Sequence, residues 1–99
     1  MSFPANDPDE QVKPIQFTLD DRDLILNLFT VDPEIQNRFK LATVNGNGIA
    51  VHLNAHDLDQ LLGEIAALAN HEKNRQLQRK LDALFQRVSD KLETEFPRS

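Results

Sequence analysis

The sequence predicts an α+β domain: a small antiparallel sheet of about three strands including a β-hairpin, helices packed on one face, and a long C-terminal helix. Three observations carry that expectation. The hydrophobic period switches twice from two residues to about 3.6, an Asn-Gly-Asn-Gly segment joins two alternating runs, and the last third carries a long apolar stripe at helical spacing.

Residues 1 to 13 hold Pro4, Pro8, Asp7, Asp9 and Glu10 among scattered apolar residues. Such a segment buries too little surface to offset the entropy of ordering, so a disordered acidic tail is expected there. A single domain follows over 14–96, with 97–99 as a C-terminal tail. Just after Pro14, Ile15, Phe17 and Leu19 alternate with Gln16 and Thr18, the pattern of a short half-buried strand. Asp20 is placed to cap the next helix, with Asp23 completing a capping-box-like pair, and Leu24, Ile25, Leu28 and Phe29 share one helical face. Asp32-Pro33-Glu34 is a second start signal and predicts a short helical turn to about Asn37.

From Phe39 the period returns to two. Phe39, Leu41 and Thr43 lie on one side before Asn45-Gly46-Asn47-Gly48, and Ile49, Val51 and Leu53 follow, so an antiparallel hairpin is expected. Leu53-Asn54-Ala55-His56-Asp57-Leu58 then repeats the grammar of Leu19-Asp20-Asp21-Arg22-Asp23-Leu24, which predicts a second strand-to-helix junction of the same design. A distant internal duplication and plain capping chemistry both account for that repeat. Leu58, Leu61, Leu62, Ile65, Leu68 and Ala69 form a wide apolar face ending near Asn70, a residue able to close a helix in the left-handed region. Gly63, Ala66 and Ala67 beside it predict close packing of another backbone. The last helix is expected from about Glu72 to Glu95, stopped by Pro97, with Leu77, Leu81, Leu84, Phe85, Val88, Leu92 and Phe96 on one side. One unbroken helix over 55–95 would span about 60 Å, against a radius of gyration of about 13 Å for a compact chain of this size. The helix therefore folds back near Asn70-His71 or projects toward another subunit.

With 99 residues, 39% hydrophobic and 27% charged, the chain supports one core and excludes a cleft between two domains. The absence of Cys removes disulfide frameworks, thiolate zinc sites and Cys nucleophiles, and fits a reducing compartment. No apolar run approaches the roughly 20 residues of a membrane span, and Met1–Asp7 has no basic, apolar leader pattern, so a cytoplasmic protein without membrane association is expected. The formal charge of -5 and pI near 5.0 repel phosphate backbones on average.

No motif assigns a reaction. Asn45-Gly46-Asn47-Gly48 precedes a strand, whereas a phosphate cradle opens a helix. His52, His56, Asp57 and Asp59 invite a metal or acid-base reading, yet their spacing does not enforce convergence, so no metal, cofactor or catalytic residue is expected. Asp20, Asp21 and Asp23 are accounted for by capping and the helix dipole. Ser2, Ser89 and Ser99 sit in no strained elbow. The stretch Lys73-Asn74-Arg75-Gln76-Leu77-Gln78-Arg79-Lys80 concentrates side chains that bond phosphates and base edges, in the second helix of a helix pair. Residues 1–60 hold 4 basic and 10 acidic side chains and residues 61–99 hold 7 and 6, so the second half is nearly neutral. Glu72, Asp82, Asp90, Glu93 and Glu95 interleave the cations, which predicts a solvated helix face laced with ion pairs.

The stretch Leu53 to Asn70, with the Leu77, Leu81 and Leu84 spacing after it, resembles small bacterial proteins of unassigned function. That resemblance implies no substrate and no catalytic residue. The leading expectation is a non-enzymatic protein-interaction module that forms a homodimer through its C-terminal helices (Leu77, Leu81, Leu84, Phe85, Val88, Leu92) or an open sheet edge. Docking of another protein is a further expectation. The alternative is a nucleic-acid-binding regulator using Lys73, Arg75, Arg79 and Lys80. An enzyme built on His52, His56, Asp57 and Asp59 has the least support.

Overall fold

In the computed structural model, which describes residues 11–27 and 32–97, strand β1 (Lys13–Thr18) leads directly into helix α1 (Leu19–Leu26). Helix α2 (Pro33–Leu41), strands β2 (Thr43–Asn45) and β3 (Gly48–Leu53), and helices α3 (Ala55–His71) and α4 (Arg75–Glu95) complete the α+β fold. The sheet order is β1-β3-β2, antiparallel throughout, with Ile15 opposite Val51, Phe17 opposite Ile49 and Val44 opposite Ile49 from the other side. Strand alternation sends Ile15, Phe17, Ile49, Val51 and Leu53 into the core and leaves Pro14, Gln16, Thr18 and His52 exposed, so helices cover one face of the sheet. The expected acidic tail lies for residues 1–10 outside the described residues, and Lys13, assigned to that tail, belongs to β1.

The hairpin forms as expected, with a correction to its first strand. Alternation of Phe39, Leu41 and Thr43 predicts a strand, yet α2 runs through Leu41 instead of ending near Asn37. The reason is tertiary: Ile35 and Phe39, four residues apart, both reach the core only on a helix, and the Phe39 ring meets Phe17 edge-on at 4.9 Å. Of the turn residues only Gly46 adopts positive φ, at 65°, the first central position where a tight hairpin turn favours glycine. Asp32 caps α2 by accepting the Glu34 N–H at 2.8 Å, with Pro33 opening the helix.

Both strand-to-helix junctions carry capping boxes, one of them two residues earlier than expected. Thr18, not Asp20, caps α1: its hydroxyl accepts the Asp21 N–H at 3.0 Å while the Asp21 carboxylate accepts the Thr18 N–H at 3.5 Å. Leu19 is therefore helical. At the second junction the Asn54 side chain accepts the Asp57 N–H at 2.8 Å and Asp57 accepts the Asn54 N–H at 3.0 Å, as read from sequence. The two boxes share a further feature, because each acid also meets a distant guanidinium, Asp21 with Arg87 and Asp57 with Arg38. Leu28 and Phe29 of the expected α1 face lie outside the described residues.

Residues 55–95 fold back as a helical hairpin. α3 runs to His71, and the chain turns through an extended Glu72 (φ -79°, ψ 126°), so Asn70 does not close the helix in the left-handed region. α4 begins three residues later than expected, at Arg75, where the Asn74 side chain accepts the Leu77 N–H at 3.1 Å. Gln78 Nε2 ties the two helices by donating to the Ala69 carbonyl at 3.1 Å. Leu58, Leu61, Ile65 and Ala69 of α3 and Leu81, Leu84 and Val88 of α4 are buried in one core with the sheet. Gly63, by contrast, is exposed with open space around its Cα, so the expected close backbone approach at that glycine is not made.

Candidate functional site at the open sheet edge

The apolar stripe of α4 is not a free surface. Leu81, Leu84 and Val88 are at most 1% exposed within the single chain, and Leu77, Phe85 and Leu92 pack against the same core. Of the six residues expected as a self-association face, folding α3 back on α4 buries Leu81, Leu84 and Val88 inside the single chain, whereas Leu77, Phe85 and Leu92 stay half-buried at its margin.

The two edges of the sheet differ in how they are protected. At β1, Pro14 offers no N–H and Lys13 donates to the Glu95 carbonyl at 2.5 Å while standing 5.1 Å over the Phe96 ring. Lys91 of α4 adds a cation 5.4 Å from the Phe17 ring. A charged side chain, a proline and a covering helix are the devices that blunt an edge strand. β2 has none of them among its own residues, Thr43-Val44-Asn45. From Leu41 to His56 no residue carries a formal charge, although 27% of the chain is charged.

The core also runs off this edge. Along the row that crosses the sheet, Phe17 is 4% and Ile49 0% exposed, but Val44, next in the row, is 54% exposed. Leu41, at the end of α2, is 76% exposed and Val12 50%, and these three are the large hydrophobic residues left exposed among the described residues. Val12 and Leu41 line one shallow groove with Ala42, Thr43, Ala50 and His52. Asn37 and Arg38 close its polar side, and the Arg38 guanidinium is already held by Asp57 and by Glu34. Neither alternation nor spacing singles out this corner in the sequence, because Leu41 reads as a strand residue whose partner face is covered.

The remaining sequence candidates do not converge. His52 is exposed on the outer face of the sheet, and His56 and Asp59 are exposed in the first turns of α3. Asp57 is committed to the capping box and to Arg38. Among the described residues no group of three His, Cys, Asp or Glu side chains is arranged to hold a metal ion. A second groove, between α1 and α4, is lined by Asp20, Asp21, Asp23, Lys80 and Arg87, but the buried Asp21 is satisfied by Arg87 (Nε to Oδ2 3.4 Å, with a second contact from Nη2) and by its capping box. Asp32 has its carboxyl held below the ordinary value by the Glu34 N–H and by the Gln60 side chain. That arrangement stabilises a helix start and leaves no proton poised for transfer near neutral pH.

Lys73, Arg75, Arg79 and Lys80 are all exposed, and none makes a hydrogen bond or ion pair with another described residue. The ion-pair lacing expected along this face is therefore absent at its basic end. Lys73 precedes the Asn74 cap, so three of the four cations are on the helix proper. No described helix is long and apolar enough to cross a membrane. Comparison with known proteins yields no match to this chain, whether among protein families, curated proteins or solved structures.

Proposed function

We propose that this chain is a small, non-enzymatic protein-interaction module of the cytoplasm that docks protein through the β2 edge and the apolar corner beside it. One observation carries the reading: Leu41 and Val44, the most exposed large hydrophobic residues among the described residues, lie at the end of α2 next to β2 and on β2 itself, and Leu41 shares a groove with Thr43 of β2 and with Val12, the residue before β1. An unprotected strand end next to exposed apolar side chains is the physical basis of strand addition, where main-chain hydrogen bonds give affinity and neighbouring side chains give specificity. The lack of Cys is consistent with a reducing compartment. The test is capture from cell extract with the native chain and with a Leu41→Glu, Val44→Lys variant, both substitutions falling on exposed positions. The native chain is expected to retain proteins that the variant loses. Identical captured sets, or none with either bait, would remove this surface as a docking site for a different protein.

A nucleic-acid-binding regulator is the second reading, favoured by the charge order of α4. Its first turn has no acid and its last turn no base, with Arg75, Arg79 and Lys80 near the start and Glu93 and Glu95 at the end. This order opposes the helix dipole, which favours anions at the N-terminus and cations at the C-terminus by about 0.3–1 kcal/mol each. Fluorescence anisotropy with duplex DNA and RNA at low salt tests it. Binding that weakens with salt and is lost on replacing Arg75, Arg79 and Lys80 with Ala supports this reading, and no binding at low salt ends it.

A further inference from the structure

We infer that the occupant of the β2 edge is a second copy of this chain, its β2 running antiparallel to the first about a two-fold axis at Val44, so that the two sheets join into one of six strands. The inference rests on the docking surface proposed above and adds the partner and the register.

Backbone geometry supplies the first argument. Asn45 and Gly48 flank a two-residue turn and form the closing pair of the hairpin. In such a hairpin the closing pair exchanges both hydrogen bonds, and the next pair exchanges none. Val44 and Ile49 are that next pair. The Val44 N–H and C=O therefore face away from β3, into the open edge. Antiparallel pairing about Val44 lets each copy donate that N–H to the other's C=O, because a two-fold axis requires one patch to complement itself.

Side chains and charge supply the second and third arguments. The buried row Phe17–Ile49–Val44 is interrupted at its last member, and a mate places another Val44 beside it so that the row continues through the axis. Thr43 then faces Asn45 of the mate, two short polar side chains with no charge between them. Two copies each carrying -5 repel one another over most of their surfaces. They approach at least electrostatic cost where charge is missing, and β2 lies within the Leu41–His56 stretch that carries none. The outer face of α4, the other route to a two-fold contact, is instead densely charged, and the β1 edge is closed by Pro14, Lys13 and the end of α4.

Because the native chain has no Cys, a single introduced thiol reports on the axis. Val44→Cys places two thiols across a hydrogen-bonded antiparallel pair at a Cα separation of about 5.5 Å, inside the range a disulfide spans. Gln86→Cys on the exposed face of α4 and Gln16→Cys on the outer sheet face serve as comparisons. Under mild oxidation Val44→Cys is expected to form covalent dimer at least tenfold faster than either comparison. Sedimentation of the native chain is expected to show a monomer–dimer equilibrium whose dissociation constant rises at least tenfold in Val44→Lys. A native dimer unaffected by Val44→Lys, or faster cross-linking through Gln86→Cys, overturns the two-fold at Val44. A native chain that stays monomeric at every concentration overturns the second copy as partner, while loss of captured proteins in the Leu41→Glu, Val44→Lys variant leaves the docking surface standing.

Discussion

Replacing Leu84 with Ala separates the two roles an apolar helix stripe can have, intrachain core or contact between copies. The side chain is fully buried within one chain, on the face of α4 that carries Leu81 and Val88. Truncation removes three carbons from a packed site. The lost transfer free energy and the cavity left behind together cost about 3–5 kcal/mol for fully buried leucines. Domains of this size are stable by about 5–15 kcal/mol in total, so about a fifth or more of the stability is expected to go. At about 4–8 °C per kcal/mol, the midpoint of thermal unfolding should fall by more than about 12 °C. The assay is urea unfolding followed by circular dichroism, for native and variant chains, at two protein concentrations tenfold apart. The expected result is a lower midpoint with unchanged slope and the same loss at both concentrations, since no second copy contributes to this site. A loss below about 1 kcal/mol, or one that shrinks as protein is added, would falsify the assignment of this stripe to the core.

Further outcomes follow from local geometry. Asp21→Ala removes a capping-box acid and the partner of Arg87 together; since Arg87 is 45% exposed and can regain water, the expected loss is about 2–3 kcal/mol rather than the 3–5 of a fully buried pair. A double-mutant cycle with Arg87→Ala should return a coupling of about 1 kcal/mol in urea unfolding, and zero coupling would refute the pairing. Gly63→Ala, in an exposed helix position with open space around it, should stabilise by about 0.5–1 kcal/mol, whereas Gly48→Ala should destabilise by about 1–3 kcal/mol because its new Cβ would stand 2.9 Å from the Phe17 carbonyl oxygen. Asp32→Asn keeps a cap but removes the charge that the Glu34 N–H and Gln60 stabilise. The folded-state value of Asp32 lies below the ordinary 3.8, so its contribution is present above that pH and is lost as pH falls through the folded-state value. Unfolding midpoints of native and variant chains should therefore differ near neutral pH and converge in acid, and a gap that persists in acid would point to another cause.

Much of the fold was legible in the sequence because it rests on short-range chemistry. The Asn-Gly turn, the Asp32-Pro33 helix start, the Asn54–Asp57 box and the alternation through Ile49, Val51 and Leu53 each involve residues within a few positions of one another, so local rules suffice. The misplacements share one cause. Thr18 and Asp20 offer equivalent capping chemistry two residues apart, and Phe39 and Leu41 fit a strand as well as a helix end. In each case the choice depends on which side chains reach the core: Asp21 reaches Arg87, which lies 66 positions along the chain, and Phe39 reaches the Phe17 ring.

The candidate site was less legible, for a related reason. Composition and periodicity identify the apolar residues, but whether an apolar stripe is covered by its own chain or left for another is a property of the assembled surface. The sequence by itself determined an α+β class, a hairpin at Gly46-Asn47, two capped strand-to-helix junctions and the absence of any thiol chemistry, all consequences of backbone preference and side-chain type. Only the tertiary structure decided that α3 folds back to bury Leu81, Leu84 and Val88, that among the described residues β1 is closed while β2 is open, and that Leu41 and Val44 remain exposed. Burial is a long-range quantity, summed over elements that meet in space from opposite ends of the chain, and no local pattern encodes which surface is left over once the core is filled.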